Sequence, residues 1–157
     1  KQYEFIQMKN AKNSAIGGVL CIYQSRDSNF YIGASSGMTR IQYMENGNHI
    51  IKQFDRRNGI FNDMIHGILE GNDGCIWLST NKGLIKYNPH NDFVHNYSSP
   101  DLKVTEFSDD AYWKCPVPGR LFFGGINGLT GVESKETEVQ GGYYRPDLHL
   151  FDLQIAG

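Results

Sequence analysis

Short apolar runs punctuate the chain at regular intervals. "FYIGA" (30–34), "IWLST" (76–80) and "LFFGG" (121–125) are each followed at once by a glycine-containing turn and a second apolar run. Clusters rich in Asn, Asp and Gly separate the runs: "GNDG" (71–74), "NKG" (81–83) and "NPHND" (88–92). These residue types tolerate the positive φ of tight hairpins, so the clusters join antiparallel neighbours. The stretch between Met64 and Tyr97 therefore predicts four strands, at Met64–Glu70, Cys75–Thr80, Leu84–Asn88 and Phe93–Tyr97. No helix-length window repeats its apolar residues at 3.6-residue spacing, which predicts an all-β chain.

The same pattern recurs every 45–46 residues. "FYIGASSGMTRIQY" aligns with "IWLSTNKGLIKYNP" and then with "LFFGGINGLTGV", so that Tyr31, Trp77 and Phe122 share one repeat position and Gly37, Gly83 and Gly128 another. Ahead of the centre, Val19 pairs with Ile65, Ile22 with Ile68 and Tyr23 with Leu69. Behind it, "HIIKQF" follows "YEFIQM" at the same spacing. Four antiparallel strands per unit of this length are the signature of a β-propeller blade. The centre strands are apolar on both sides, as a strand sandwiched between two neighbours must be. Their closing small residues (Gly33 and Ala34, Ser79 and Thr80, Gly124 and Gly125) allow close approach, and the shared glycine serves the turn into the third strand. The expected fold is an all-β partial propeller of about three blades plus an exit strand: 1–14 as the tail strand of a preceding blade, 15–54 and 55–97 as two blades, 98–139 as the inner strands of a last blade, and 140–157 as an outer or exit strand.

Composition changes this picture little. The chain is 39% hydrophobic and 13% aromatic, ample for a core, and its 15 basic and 17 acidic residues leave a formal charge of −2. No positive field is available to attract nucleic acid or an anionic membrane. No apolar run reaches the roughly 20 residues that span a bilayer, so direct membrane insertion is not expected and the chain as given reads as soluble. Cys21, Cys75 and Cys115 form neither a disulfide framework nor a zinc pattern and read as small packed hydrophobes.

Candidate chemistry is sparse. "GGINGL" is too short for a dinucleotide fingerprint, and no Gly-Lys-Ser/Thr element occurs, which argues against a nucleotide cofactor. Of the five histidines only His90 and His95 are close in sequence, with no third metal ligand nearby, so no metal is expected. Asp109 and Asp110 suggest a carboxylate pair, but adjacent strand residues point to opposite faces and cannot flank one sugar. No catalytic residue is assigned. For ligand binding, Tyr112 and Trp113 on the first strand of the last blade, with Arg56 and Arg57 in the connection between blades, are the candidates, since aromatic faces stack on pyranose rings and guanidinium groups fix hydroxyls. The competing reading makes Trp113 core and both arginines solvated. Trp77, at the repeat position of Tyr31 and Phe122, reads as packing between blades.

"DGCIWLSTNKGLIKYNP" resembles the two-component regulator propeller repeat. "TEFSDDAYWKCPVPGRLFFGGINGLTGV" resembles the last blade of such propellers in the periplasmic sensors of Bacteroides-type hybrid two-component systems. "RPDLHLFDLQIAG" is similar to the segment where those proteins leave the propeller for an immunoglobulin-like domain. Two places depart from the usual pattern: Asp109, Asp110 and Ala111 stand where a Gly-Ala pair is customary, and Val117, Pro118 and Gly119 replace an Asp-Gly turn. The resemblance implies the C-terminal portion of a periplasmic sensor propeller, anchored at the inner membrane in its parent. That parent would detect a glycan-derived ligand and signal to a histidine kinase that acts on transcription, without cofactors and without catalysis in this segment. A polysaccharide lyase or hydrolase propeller and a protein-binding scaffold are the alternatives. Three blades cannot close a ring, so the remaining blades of the parent are the expected partners, and the isolated segment is expected to self-associate.

Overall fold

The computed structural model describes residues 2–3, 7, 9, 16–116 and 119–133, and the backbone of 149–153. Among these residues twelve strands form three separate four-stranded antiparallel sheets. The first contains β1 (Val19–Gln24), β2 (Phe30–Ala34), β3 (Gly37–Tyr43) and β4 (His49–Phe54) in sequence order. The second contains β5 (Ile65–Glu70), β6 (Ile76–Thr80), β7 (Gly83–Asn88) and β8 (Phe93–Tyr97), also in sequence order. In the third, β9 (Phe107–Lys114), β10 (Arg120–Gly125), β11 (Gly128–Glu133) and β12 (His149–Leu153) again meander, with β12 hydrogen-bonded to β11 within the same chain. These are three blades of a partial β-propeller. The expected strands of the second blade agree with the structure to within one residue at each end. Most of the tail strand expected in 1–14, and all of 134–148 before β12, lie outside the described residues.

Register reproduces the sequence repeat. Tyr31 pairs with Tyr23, Trp77 with Leu69 and Phe122 with Trp113, always between the first and second strands of a blade. Gly37, Gly83 and Gly128 open the third strands at φ 114°, 123° and 142°. These glycines do more than turn the chain. A Cβ on Gly37 would lie 2.2 Å from the carbonyl oxygen of Phe54, and one on Gly83 would lie 2.0 Å from that of Tyr97. The outermost strand of each of these two blades is seated directly on its glycine.

Alternation along the centre strands sends successive side chains to different neighbours. Cys21, Tyr31, Met38 and Phe54 of the first blade pack with Ile65, Ile68, Ile76, Leu78, Ile85 and Tyr87 of the second, plus Ile60 from the connection. The intervening residues Leu69, Trp77 and Leu84 face the other way and pack with Phe107, Leu121, Phe123 and Val132 of the third, plus Leu102 and Val104. Each large side chain buried this way contributes roughly 1.5–3 kcal/mol, so the two interfaces are the core.

Polar clips cross the first interface at both ends. Arg26, in the β1–β2 turn, holds the buried carboxylate of Glu70 through its backbone N–H and its Nε, each at 2.9 Å. At the outer side Arg40 donates to the Tyr87 hydroxyl at 2.7 Å, that hydroxyl donates to Asp92 at 2.6 Å, and Lys52 pairs with the same carboxylate. Burial alone would raise the Asp92 pKa, but hydrogen bonds from Lys52 and Tyr87 and the charges of Lys52 and Arg40 outweigh it and hold the carboxyl below its usual range. At the second interface Lys114 donates to the Glu70 carbonyl at 2.9 Å.

Candidate functional site

The connection from β4 to β5 carries Arg56 and Arg57 and is held by a cap and by side-chain hydrogen bonds. Sequence periodicity missed its single 3-10 turn, Arg56–Asn58, which is too short to show a period. Asp55 caps that turn by accepting from the Arg57 N–H, while the Asn58 side chain accepts from the Asp55 N–H, a reciprocal capping box. Gly59 ends the turn at φ 89°. Ile60 then anchors the segment in the first interface with no exposed surface, and Asn96 on β8 grips it from the side, accepting from the Phe61 N–H at 3.1 Å and donating to the Gly59 carbonyl at 2.7 Å. Held at these points, Phe61 stands 74% exposed.

The two arginines of the same connection are paired with carboxylates. Arg57 forks onto Asp55, with two contacts of 3.1 Å from its Nε, and the paired carboxylate, through its hydrogen bond and then its charge, pushes the Arg57 pKa further up. Arg56 reaches Asp63 at 3.3 Å. Both arginines are exposed. The Gly37 N–H donates to the Asp63 carbonyl at 2.6 Å, and in the third blade the Ile126 N–H donates to that of Glu106 at 3.1 Å. Interblade connections and second-to-third-strand turns thus meet at one end of the blades, where Ile126 is also 65% exposed.

Tyr112 and Trp113 do not join this end as a pair. They are consecutive on β9 and face opposite ways. Tyr112 lies over Gly67, where an added Cβ would be 2.4 Å from its ring, and packs against the second interface. Trp113 is 66% exposed on the far face of the last blade, away from both described interfaces. Its register partner Phe122 is half-buried.

One polar node was not legible in the sequence. His66, buried on β5, has Nδ1 2.5 Å from Asp109 Oδ1 of the third blade and Nε2 2.5 Å from Asn81 Oδ1 of its own. Asp109 reaches it because β9 breaks register against β10 between Phe123 and Gly125, with Asp110 at φ 58°. Strict alternation therefore does not govern the Asp109–Asp110 pair, contrary to the sequence argument, yet Asp109 is engaged by an imidazole and not by an opposed carboxylate. The customary Gly-Ala at this place would carry no such contact. Among the described residues no group of three His, Cys, Asp or Glu side chains is placed to hold a metal ion.

The cysteines are free. Burial pushes the thiols of Cys21 and Cys75 up to about 11, helped by the charges of Asp109 and Asp110 near the first and Asp73 near the second. Thiolate is the reactive form. At pH 8 a disulfide reagent should therefore titrate the half-buried Cys115 readily and the other two only after unfolding; three fast equivalents in native protein would contradict the packing described.

Residues 59–82 match the two component regulator propeller family, a span that runs from this connection through the first two strands of the middle blade. Among curated proteins, histidine kinase P4 of Formosa agariphila is 27% identical over 114 residues, covering 72% of this chain. Among solved structures, the extracellular domain of the hybrid two component system BT3049 of B. thetaiotaomicron is similar at 26% identity and a TM-score of 0.62 over 74% of the chain. That of the one component system BT4673 of the same organism, at 21% identity and a TM-score of 0.60 over 78%, speaks for the fold alone. The chain spans 8% of the curated relative and 15% and 16% of the two solved domains. Among the described residues no helix is long and apolar enough to cross a membrane.

Proposed function

We propose that this chain, a set of two-component regulator propeller blades, forms part of the periplasmic sensor region of a hybrid two-component system. It carries no catalysis itself and helps detect a glycan-derived ligand whose binding is relayed to a histidine kinase. The supporting observation is the match at 59–82 coinciding with a blade of the matching fold, in a chain similar to the extracellular domain of a hybrid two component system. Propeller blades are rigid supports, and binding residues concentrate on the connections they hold in place.

The connection 55–63 is the part of this chain best suited to ligand contact. Its exposed Phe61 ring offers a stacking face, and Arg56 and Arg57 offer forked donors to hydroxyl or carboxylate groups, all preordered by the Asp55 box and the Asn96 grip. Tyr112 belongs to the blade interface and Trp113 to another face, so neither shares this site. Calorimetry with a panel of neutral and acidic oligosaccharides against the complete ectodomain tests the reading. Arg56→Ala and Phe61→Ala should each weaken the responding glycan about tenfold or more. Unchanged affinity in both would remove the connection from the site, and a panel without any response would remove the glycan.

A further inference from the structure

We infer that the 55–63 connection selects uncharged sugars. Its ligand is a neutral pyranose whose C–H face lies on Phe61 and whose adjacent hydroxyls bond to Arg56 and Asp63. Such a ligand narrows the sensor reading above, on which it rests, from a glycan of any charge to one without carboxylate or sulfate groups.

From Asp55 to Asp63 the chain carries two carboxylates and two guanidinium groups, so the connection has no net charge. Both cations are already matched: Arg57 forks onto Asp55, and Arg56 reaches Asp63 at 3.3 Å. In each pair the carboxylate is the anchored half. The side chains of Asp55 and Asp63 are 18% and 33% exposed, against 73% and 71% for those of Arg57 and Arg56. Asp55 is fixed further by the capping box, where it accepts from the Arg57 N–H at 2.9 Å, and the backbone of Asp63 is tied by the bond its carbonyl accepts from the Gly37 N–H at 2.6 Å. A sugar carboxylate or sulfate would have to share a guanidinium with an anchored anion of its own sign. Repulsion between the two anions disfavours that arrangement.

Hydroxyl groups fit the same surface without that conflict. A hydroxyl both donates and accepts, whereas an ionised carboxylate only accepts. A guanidinium beside a carboxylate displays N–H donors and oxygen acceptors together, so two adjacent hydroxyls can accept from Arg56 and donate to Asp63, each bond assisted by a charge. Phe61 adds to the preference. Its ring stands 74% exposed and presents a face of negative potential, which attracts polarised C–H groups and repels anions.

Calorimetry on the complete ectodomain tests the ligand class with three sets of probes: neutral hexose and pentose oligosaccharides, uronic-acid oligosaccharides and sulfated oligosaccharides. The responding probe should be neutral, and its affinity should change less than about twofold between about 50 mM and about 500 mM salt, because no ionic attraction to the ligand is there to be screened. Asp63→Asn keeps the size of the side chain, removes the anionic acceptor and releases Arg56. In a variant shown by circular dichroism to be folded, the neutral probe should bind about tenfold more weakly, while the acidic probes gain, so that the ratio of neutral to acidic affinity falls. A merely structural role for Asp63 would weaken both classes alike and leave the ratio where it was, which would overturn the inference. So would unchanged neutral affinity in the folded variant. An acidic probe that binds the wild type as tightly as any neutral one would also overturn it and leave the sensor reading standing, whereas a panel without any response would remove the glycan itself and this inference with it.

Discussion

Gly83→Ala should lower stability by roughly 3–5 kcal/mol and the melting temperature by about 10 °C or more. Two separate terms add. The backbone at φ 123° is a conformation that side chains other than glycine rarely adopt, and the new methyl would sit 2.0 Å from the Tyr97 carbonyl oxygen. That oxygen is backbone of the fourth strand, so relief requires moving β8 off β7. Gly74→Ala is the control. It shares a positive φ, 73°, but has nothing within 4 Å of its added methyl, so only the conformational term applies, about 1 kcal/mol. Calorimetric melting of both variants separates the terms, and equal shifts would mean that the seat of the fourth strand is not a close contact.

Trp77→Ala should cost about 3–5 kcal/mol, the range for emptying a large aromatic site in a core. The ring has no exposed surface, stacks on Tyr97 at 5.5 Å between centroids, and lies with Leu69, Leu121 and Phe123 between the second and third blades. Trp77→Phe should cost far less, roughly 1.5 kcal/mol or below. The indole Nε1 has no hydrogen-bond partner among the described residues, so phenylalanine removes an unsatisfied polar group while keeping most of the apolar volume. Denaturant unfolding gives both values. A loss near 1 kcal/mol for Trp77→Ala would show that the two blades are not held together through this ring.

Strand positions were legible because a blade is a local object. Hairpin turns need Asn, Asp or Gly, and centre strands buried on both faces need unbroken apolar runs, so the middle blade could be bounded to a residue. The assignment of Trp77 to the blade interface followed from its repeat position alone. Trp113 shows where that logic stops. Its register partner Phe122 stands at the repeat position of Tyr31 and Trp77, yet it is exposed because no described blade follows it. Tyr112 and Trp113 looked like a pair in one dimension and lie on two surfaces in three. His66 escaped notice for the converse reason. Its partners Asp109 and Asn81 are 43 and 15 residues away, and a break in β9 register, which no local pattern announces, brings the first of them across the interface.

The amino-acid order alone determined the four-strand unit, its period, the glycine that starts each third strand and the rings that separate the blades. All of these depend on contacts between residues near in sequence or equivalent under the repeat. Tertiary structure decided which face each residue meets, that β12 completes the last blade, and that the 55–63 connection is a rigid platform for Phe61 and two arginines. Those features arise from the stacking of separate sheets, where burial depends on whether a neighbour is present and not on the residue itself.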